Sequence, residues 1–324
     1  MAKSVQCELC PTECVLENYQ VGGCRTRINK DGVLYSLVYG KPCAVAVDPI
    51  EKKPFYHFLP ATRAFSIATA GCVLGCKFCQ NWQISQAAPE EVDHQDLPPA
   101  DVVRLAVAND CRSITYTYTE PTVFYEYMID TAEIARRVGV RNTMHSCGYI
   151  NEKPLRKLAK LLDAADIDLK AFTEDFYSRI CGGRLRPVLD ALVTLRQEKV
   201  WLEITNLVIP TLNDDPQQIG AMCRWIVKEL GPDVPLHFSR FFPYYKLKDL
   251  PPTPVATLRD AQKAAQDAGV RYAYVGNLRG DGENTYCHRC RKLVIERYGY
   301  QVKQVNMTSG KCRFCGTTLP GVWS

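Results

Sequence analysis

Short apolar runs alternate with amphipathic stretches over most of this chain. The runs that have the length and composition of buried strands lie at residues 64–70, 113–117, 141–145, 165–169, 200–207, 235–241 and 272–276. Between them, stretches with the period of amphipathic helices lie at residues 100–108, 122–138, 152–162, 187–198, 216–230 and 257–269. This alternation predicts an α/β fold with a parallel sheet, either doubly wound or curled into a full or partial barrel. In each of these folds, ligands bind at the C-terminal ends of the strands.

The segments on either side of this region have a different pattern. Residues 32–39 alternate as a strand does, and a proline-containing stretch at 42–60 predicts an irregular arm laid over the larger unit. The last forty residues are rich in cysteine and glycine, with one strand expected at 293–298, and are too few to form a core without a metal. We therefore expect three units, an N-terminal arm at 1–61, a barrel at 62–283 and a C-terminal module at 284–324.

The composition is that of an ordinary globular protein. The 324 residues are 46% hydrophobic and 23% charged, and the formal net charge of +5 is too small to indicate a nucleic acid or membrane partner by itself, although nucleic acid is not excluded. No apolar run approaches the roughly 20 residues of a membrane span, and the first residues lack the apolar stretch of a secretory signal. We expect no membrane association and a cytoplasmic location, where thiols stay reduced.

The sixteen cysteines change this picture. Their local spacings are too tight for a disulfide framework in a chain of this length, and they favour metal ligation. Eleven fall into three groups: an N-terminal cysteine group (Cys7, Cys10, Cys14, Cys24), a central trio (Cys72, Cys76, Cys79) and a C-terminal cysteine group (Cys287, Cys290, Cys312, Cys315). Either terminal group can saturate a tetrahedral metal, but the central trio cannot.

The central trio directly follows the predicted strand at 64–70, in C-x3-C-x2-C spacing. Thiolates are the ligands of iron–sulfur clusters, and four irons ordinarily take four of them. Three ligands therefore leave one iron open to bind and reduce an outside molecule. A structural zinc would need a fourth local ligand, and none follows until His94. Gly71 and Gly75 are expected to let the backbone pass close to the sulfides.

These residues carry a resemblance to a known family. Cys72-x3-Cys76-x2-Cys79, with Phe78 before the last cysteine, resembles the motif of the radical S-adenosylmethionine superfamily. Cys79-Gln-Asn-Trp-Gln-Ile-Ser85 is similar to the radical component of the AmmeMemoRadiSam system, which is itself similar to pyruvate formate-lyase activating enzymes. The resemblance implies a partial (β/α)6 barrel with a [4Fe–4S] cluster at its mouth, which binds S-adenosylmethionine. It also implies reductive cleavage to methionine and a 5′-deoxyadenosyl radical that abstracts hydrogen.

The resemblance also implies residues that contact S-adenosylmethionine. The family places a Gly-Gly-Glu-Pro-like turn after the second strand, and the corresponding run here is Thr117-Tyr118-Thr119-Glu120-Pro121. Thr119 and Glu120 are therefore the expected contacts of the methionyl amine. Alternatively, Glu120 only starts a helix, because proline suits the first helical turn and an acidic residue suits its dipole.

Further contacts are expected after the third, fourth and fifth strands. Asp168 and Lys170 resemble the Asp-Leu-Lys of the activating enzymes, where Lys170 would pair with the methionyl carboxylate and Asp168 would orient it or reach the ribose. Ser146 is a candidate ribose contact, and Leu207 is a candidate adenine contact. His145 departs from the acidic residue of the family, and a buried structural histidine is an equal alternative.

The terminal cysteine groups have separate interpretations. The C-terminal cysteine group forms two C-x2-C knuckles, which predict a structural zinc ribbon, with a rubredoxin-like iron as the competing occupant. The N-terminal cysteine group would hold zinc, a single iron or a second [4Fe–4S] cluster. Two of the isolated cysteines, Cys147 and Cys181, are expected on loops at the catalytic mouth.

Two substrate classes are open at this point. The first is a glycine in a partner protein, as in the activating enzymes, and the second is a small molecule, a nucleoside or an RNA. A non-catalytic iron–sulfur electron-transfer or scaffold protein is a third possibility. The expected partners are S-adenosylmethionine, an electron donor such as flavodoxin or ferredoxin, and a protein substrate or Memo-like and AMMECR-like proteins.

Overall fold

The computed structural model of the protein describes residues 4–278 and 280–324. Its first strands form two antiparallel pairs, β1 (Val5–Gln6) with β2 (Val15–Leu16), and β3 (Arg27–Lys30) with β4 (Val33–Ser36). Strand β4 confirms the strand expected within residues 32–39. These pairs place the N-terminal cysteine group on turns between short strands.

A sheet of eight strands, lying side by side in sequence order, crosses the described part of the chain. Its strands are β5 (Ala44–Pro49), β6 (Arg63–Ala68), β7 (Ser113–Tyr116), β8 (Arg141–Ser146), β9 (Ala164–Asp168), β10 (Trp201–Val208), β11 (Leu236–Arg240) and β12 (Ala273–Gly276). Strand β5 is antiparallel to β6, and all later neighbours are parallel. The carboxyl ends of the parallel strands therefore meet at one edge of the sheet.

Helices connect the parallel strands as the sequence predicts. In chain order they are α1 (Trp82–Ser85), α2 (Pro99–Ala108), α3 (Tyr125–Arg137), α4 (Glu152–Ala159), α5 (Glu174–Phe176), α6 (Leu185–Gln197), α7 (Pro216–Glu229) and α8 (Val255–Asp267). Gly139 and Gly269 follow α3 and α8 with φ of 78° and 99°, which is the left-handed backbone that ends a helix. The prediction of a partial (β/α)6 barrel is confirmed.

Strand β5 corrects the interpretation of residues 42–60 as irregular throughout. All six of its residues pair with β6, from Ala44 opposite Ala68 to Pro49 opposite Arg63. Its side chains are small, and Pro49 stands at the last position, where it does not interrupt the ladder. The strand covers an edge of the sheet that would otherwise be free to pair with other chains.

The C-terminal segment forms two small sheets. They contain β13 (Thr285–Tyr286), β14 (Leu293–Tyr298) and β15 (Gln301–Val305), followed by β16 (Met307–Thr308) and β17 (Lys311–Cys312). Strand β14 confirms the strand expected at 293–298. Among the described residues, no helix has the length and apolarity to cross a membrane.

A buried polar network joins this segment, the arm and the barrel. The Glu203 carboxylate on β10 accepts hydrogen bonds from the backbone N–H groups of Tyr56 and His57, at 3.0 and 2.8 Å. The His57 Nε2 lies 2.6 Å from the Tyr274 hydroxyl, and burial lowers the pKa of His57 to about 4. Arg297 of β14 donates to the Tyr56 carbonyl at 2.7 Å. Since buried polar groups are costly unless paired, this network fixes the arm against the barrel.

Candidate functional site

A cavity of about 490 Å³ lies at the carboxyl edge of the parallel strands. Every residue predicted for the cluster motif or for S-adenosylmethionine lines this cavity: Cys72, Cys76, Cys79, Thr119, Glu120, Ser146, Asp168, Lys170 and Leu207. These residues come from five different strand ends, so the fold brings together positions that are far apart in sequence. The volume of the cavity is that of an ordinary small-molecule site.

The loop that carries the central cysteines, residues 71–86, is here called the three-cysteine loop. Its backbone is held by neighbouring loops, because Gly75 N–H donates to the Cys181 carbonyl at 2.8 Å and Lys77 N–H donates to the Ile180 carbonyl at 2.9 Å. Lys246 N–H donates in turn to the Lys77 carbonyl at 2.9 Å. These backbone hydrogen bonds fix the loop against the barrel and so determine where its three thiols lie.

Glycine is required at position 71 for a different reason from the one that the sequence suggests. Its φ is +91°, and a Cβ at this position would lie 2.5 Å from the carbonyl oxygen of Cys24 and 2.4 Å from Thr26 Cγ2. The residue must therefore be glycine because the N-terminal arm presses against it. At Gly75, a Cβ would meet only the Gln86 side chain, at 3.9 Å.

The spacing of the three loop sulfurs fits a polynuclear cluster. Within the described residues, they do not form a group whose sulfurs all lie within 4.8 Å of one another. A single tetrahedral ion would draw its sulfurs to about 3.8 Å apart, whereas in a four-iron cluster each thiolate binds a different iron. The donor set and its spacing therefore fit a [4Fe–4S] cluster.

Two further thiols lie beside this loop. Cys147 lines the same cavity, and its backbone N–H donates to Glu120 at 2.8 Å. Cys181 is fully buried and holds the loop through its carbonyl oxygen. Cys147 therefore lies at the mouth as the sequence predicts, whereas Cys181 ends a short helical turn, Tyr177–Cys181, and does not line the cavity.

The turn after β7 adopts a backbone that usually requires glycine. Tyr118 has a φ of +64°, and its carbonyl accepts a hydrogen bond from Asn81 Nδ2 of the three-cysteine loop at 2.7 Å. Its hydroxyl donates to Asp48 at 2.5 Å, and the Lys53 ammonium lies 3.9 Å from the centre of its ring. Contacts from the arm thus hold a left-handed residue where the family has glycine.

Glu120 has structural partners on both carboxylate oxygens. It accepts from the Thr122 N–H and hydroxyl at the start of the next helical turn, which agrees with the helix-start alternative. It also accepts from the Ser146 hydroxyl at 2.7 Å and from Cys147 N–H. Glu120 and Ser146 therefore tie two neighbouring strand ends together while lining the cavity. The Thr119 hydroxyl donates to the Thr69 carbonyl at 2.9 Å.

Asp168 and Lys170 form an ion pair that faces the cavity. The Lys170 Nζ lies 2.8 Å from Asp168 Oδ2, with side-chain exposures of 11% and 24%. Burial alone would raise the pKa of Asp168, but Lys170 and His145 hold it below its usual range. Burial likewise opposes the charge of Lys170, but Asp168 and nearby thiols raise its pKa well above the ordinary value. Both groups are therefore ionised and available to a zwitterionic ligand.

His145 belongs to the same charged cluster. Its Nδ1 lies 2.8 Å from Asp166 Oδ1, an ion-pair distance without hydrogen-bond geometry, and its Nε2 lies 3.6 Å from Asp168. Although burial would lower its pKa, the two carboxylates raise it. Burial raises the pKa of Asp166, which is fully buried. His145 thus lies in the cavity wall beside two carboxylates that favour its protonated form.

Sequence reasoning missed the far wall of the cavity. Lys53 and Tyr56 reach it from the arm, and Glu283 and Tyr300 reach it from the C-terminal segment. None of these residues belongs to a barrel strand or to a recognisable motif, so no local pattern indicated them. Asn81 also lines the cavity, and its place two residues after Cys79, within the segment similar to the AmmeMemoRadiSam radical component, is a signal by which it could have been found.

The C-terminal cysteine group converges on one point. All four sulfurs lie within 4.8 Å of one another, with Cys287 and Cys315 at 3.6 Å and Cys290 and Cys312 at 3.7 Å. This spacing matches the roughly 3.8 Å expected around one ion with bonds of about 2.3 Å. Gly310 and Gly316 beside the second knuckle both have a φ of 72°, as the predicted turns require. The group fits a single zinc or iron ion.

Comparisons with known proteins agree with this geometry. The family model of the radical SAM superfamily matches residues 66–223. An uncharacterized protein of Methanocaldococcus jannaschii is 44% identical over 318 residues, which cover 97% of this chain and 95% of that protein. The pyruvate formate-lyase-activating enzyme of Listeria monocytogenes is 25% identical over 173 residues, or 50% of this chain and 68% of the enzyme.

Solved structures share the fold. A radical SAM methyltransferase from Sphaerobacter thermophilus matches with a TM-score of 0.52 and 16% identity, covering 67% of each chain. Streptococcus suis SuiB bound to its precursor peptide SuiA matches with a TM-score of 0.53 and 15% identity, covering 70% of this chain and 51% of SuiB. At this identity, the likeness concerns the architecture of the barrel.

Proposed function

The chain belongs to the radical SAM superfamily, and from this premise we propose that it cleaves S-adenosylmethionine reductively and abstracts hydrogen from a protein glycine, as glycyl-radical activating enzymes do. Members of the superfamily use S-adenosylmethionine and a reductant. The observation that supports the proposal is the convergence of three loop cysteines and an ionised Asp168–Lys170 pair on one cavity. An iron–sulfur cluster on those cysteines would supply the electron that breaks the sulfonium bond.

The residues of the cavity have distinct tasks in this proposal. Lys170 pairs with the methionyl carboxylate, and Asp168 fixes the Lys170 ammonium or reaches the ribose. The turn at Thr119 binds the methionyl amine, with Glu120 holding that turn against the end of β8. Ser146 is placed for the ribose, and Leu207 for the adenine.

Glu120 both supports the site and keeps an acceptor for the amine. Three of its hydrogen bonds from the protein reach Oε1, and one reaches Oε2. Because each carboxylate oxygen has about two lone-pair sites, Oε2 keeps one site for an ammonium group. We therefore assign Glu120 to positioning of Thr119 and Ser146 and, together with Thr119, to binding of the methionyl amine.

Water exclusion follows from the way the loop is held. Phe78 is buried under the three-cysteine loop, and the Lys170 ammonium lies 5.7 Å from the centre of its ring. Trp82 stacks on Tyr245 at 5.1 Å over the outer side of the loop. These aromatic contacts limit the approach of solvent to a reactive radical.

A second substrate class is favoured by a specific observation. The cavity is also lined by Tyr56 of the N-terminal arm, Tyr300 of the C-terminal segment and Glu283 at the junction between barrel and C-terminal segment. Polar side chains from beyond the barrel strands add to the enclosure of the cavity, which favours a small molecule, a nucleoside or an exposed RNA base. The polar side chains there suit a polar substrate.

The test is anaerobic reconstitution with iron and sulfide, followed by incubation with S-adenosylmethionine and a one-electron reductant. We expect 5′-deoxyadenosine and methionine in equal amounts. Their absence from protein with a full cluster would overturn the proposed function and leave an electron carrier. A glycyl radical signal that appears only when a candidate partner protein is added identifies the first substrate class. Product formation without that signal, but with a small molecule or RNA, identifies the second.

A further inference from the structure

The N-terminal cysteine group is spaced like the three-cysteine loop and unlike the C-terminal cysteine group. The described residues contain one group of cysteine sulfurs gathered within 4.8 Å, which is the C-terminal one, and no three of Cys7, Cys10, Cys14 and Cys24 meet that limit. A mononuclear zinc or iron would need all four at about 3.8 Å from one another. A cluster with two or four irons has no such requirement, because its thiolates bind different irons, and sulfurs outside this limit are compatible with it.

The four cysteines nevertheless form one site. The Cys7 N–H donates to the Cys14 carbonyl at 2.9 Å, which closes the loop that carries Cys10. Each of the four is half-buried, and a Cβ at Gly22 would lie 3.8 Å from both Cys24 Sγ and Leu16 Cδ1, which places the Cys24 thiol beside the strand that follows Cys14. The group is therefore a gathered set of thiols with separations too wide for one ion.

The surroundings suit an anionic cluster. The Thr26 hydroxyl donates to Cys24 Sγ at 3.3 Å, and hydrogen bonds to sulfur stabilise thiolate ligands. Arg27, three residues after Cys24, has a side chain that is only 7% exposed and pairs with both carboxylate oxygens of Glu126, at 2.9 and 2.7 Å. This buried ion pair fixes the backbone that follows Cys24.

This group also touches the start of the three-cysteine loop. The carbonyl oxygen of Cys24 lies 2.5 Å from the position that a Cβ of Gly71 would occupy, and Gly71 directly precedes Cys72. The backbone of Cys24, a residue of the N-terminal cysteine group, thus contacts the residue that precedes Cys72 of the three-cysteine loop. The short path suits electron transfer.

We propose that Cys7, Cys10, Cys14 and Cys24 hold a polynuclear iron–sulfur cluster that relays single electrons to the cluster of the three-cysteine loop. The relay half of this inference rests on the proposed function, whereas the identity of the N-terminal cluster does not. One electron enters from a low-potential one-electron carrier, and one electron leaves to the loop cluster. The relay forms and breaks no bond and needs no proton.

The first test measures iron, acid-labile sulfide and zinc in the full chain and in the triple variant Cys72→Ala/Cys76→Ala/Cys79→Ala, both reconstituted anaerobically. This variant leaves the N-terminal cysteine group intact. We expect it to keep about two or four sulfide ions per chain, and the full chain to hold about four more. Mössbauer and electron paramagnetic resonance spectra of the variant distinguish the two-iron cluster from the four-iron cluster.

The possible outcomes separate the two proposals. A triple variant with no sulfide and with a zinc ion bound to the N-terminal cysteine group overturns the N-terminal cluster, and a sulfide-containing full chain would still support the proposed function. Equal sulfide in both proteins supports the N-terminal cluster but contradicts the proposed function.

The second test concerns the relay and uses Cys14→Ser, since Cys14 lies outside the apolar core that Cys10 and Cys24 contact. We expect reduction of the loop cluster by a protein donor to slow at least about tenfold, while reduction by dithionite keeps its rate. Sulfide analysis checks that the loop cluster is retained in the variant. Equal slowing with both reductants, or no slowing with either, overturns the relay.

Discussion

In the C-terminal cysteine group four sulfurs converge on one point, whereas in the three-cysteine loop three sulfurs spread along the wall of a cavity. The ligand atom is the same in both, so the difference lies in number and spacing. Four converging sulfurs saturate an ion and leave it nothing to bind. Three separated sulfurs would leave one iron of a four-iron cluster without a protein ligand, in the cavity that Asp168 and Lys170 also line.

The two regions also differ in what holds them. The C-terminal cysteine group lies in a small core with Val294 and Leu319, so a bound metal would be a large part of what stabilises the segment. In the three-cysteine loop, the Gly75 and Lys77 N–H groups donate to the carbonyls of Cys181 and Ile180, and Lys246 N–H donates to the Lys77 carbonyl. A metal would therefore organise the first region, whereas backbone contacts with the barrel organise the second. A cysteine substitution should therefore mainly lower stability in the first region and mainly abolish cleavage of S-adenosylmethionine in the second.

Removing a loop cysteine should have the largest effect on chemistry. In Cys76→Ala we expect formation of 5′-deoxyadenosine to fall to background, because the cluster loses one of its three protein ligands. The melting temperature should change little, since the backbone contacts of the loop remain. Product analysis by chromatography and circular dichroism measure the two effects.

The matched control for that substitution is Cys223→Ala in α7, which removes a buried thiol far along the chain from the loop. It should lower stability slightly and keep the product. Substantial cleavage of S-adenosylmethionine by Cys76→Ala would contradict the assignment of the three-cysteine loop, rather than the C-terminal cysteine group, to the chemistry.

Breaking the charged pair should have the next largest effect. In Lys170→Met, Asp168 is left without its ammonium partner, and the carboxylate of S-adenosylmethionine loses its cation. We expect the KM for S-adenosylmethionine to rise roughly 30-fold, which corresponds to about 2 kcal/mol. Steady-state kinetics would contradict the assignment if kcat fell and KM stayed constant. Lys160→Met, which removes a lysine at the end of α4 outside the cavity, is the control.

A substitution in the C-terminal cysteine group should act on stability instead. In Cys290→Ser the metal loses a ligand, and we expect the free energy of unfolding to fall by at least about 2 kcal/mol. Cleavage per folded molecule at low temperature should stay within about twofold of the original. Metal analysis, thermal unfolding and product formation check these points together. A catalytic loss that exceeds the unfolded fraction would show that this metal has a chemical role.

The turn at Tyr118 should give a smaller effect. Tyr118→Phe removes the hydroxyl that donates to Asp48, which costs about 1 kcal/mol and loosens the left-handed residue before Thr119. We expect binding of S-adenosylmethionine to weaken about threefold, as measured by equilibrium titration. Tyr286→Phe, at an exposed position of β13, should leave binding unchanged.

The smallest effect is expected at Cys147. This thiol lines the cavity beside the loop, so it is one of two nearby residues that could supply a fourth ligand, the other being Cys181, whose thiol contacts Cys76. In Cys147→Ala we expect cluster content and cleavage to stay within about twofold, because an isolated buried cysteine acts mainly as a small apolar side chain. Loss of cluster or product in this variant would mean that the open position is closed by the protein itself.

The barrel was predictable because its signals are local. Runs of apolar residues separated by helical periods identify each strand and helix, and parallel topology then sends every strand end to one edge. The assignment of Asp168 and Lys170 to the cavity rests on their resemblance to the Asp-Leu-Lys of the activating enzymes, and strand alternation agrees with it, because Ile167 and Leu169 occupy the opposite, buried face.

The remaining features depend on contacts between distant residues. Strand β5 has small side chains and a proline at its end, so its pairing is visible only once β6 is in place. Gly71 is required by Thr26 and Cys24, which lie some forty-five residues earlier. Tyr56 and Tyr300 reach the cavity from opposite ends of the chain. A pattern within a short stretch of sequence cannot predict contacts between residues that are so far apart in the chain.

The pairing of the arm with the C-terminal segment has a consequence for biosynthesis. The backbone of Leu59 donates to the Val322 carbonyl at 2.7 Å, and Val322 N–H donates to the His57 carbonyl at 2.8 Å. On the ribosome, residues 57–59 emerge long before Val322 is made, so this stretch waits without its partner while the barrel forms. The cavity wall at neighbouring Tyr56 is therefore finished last.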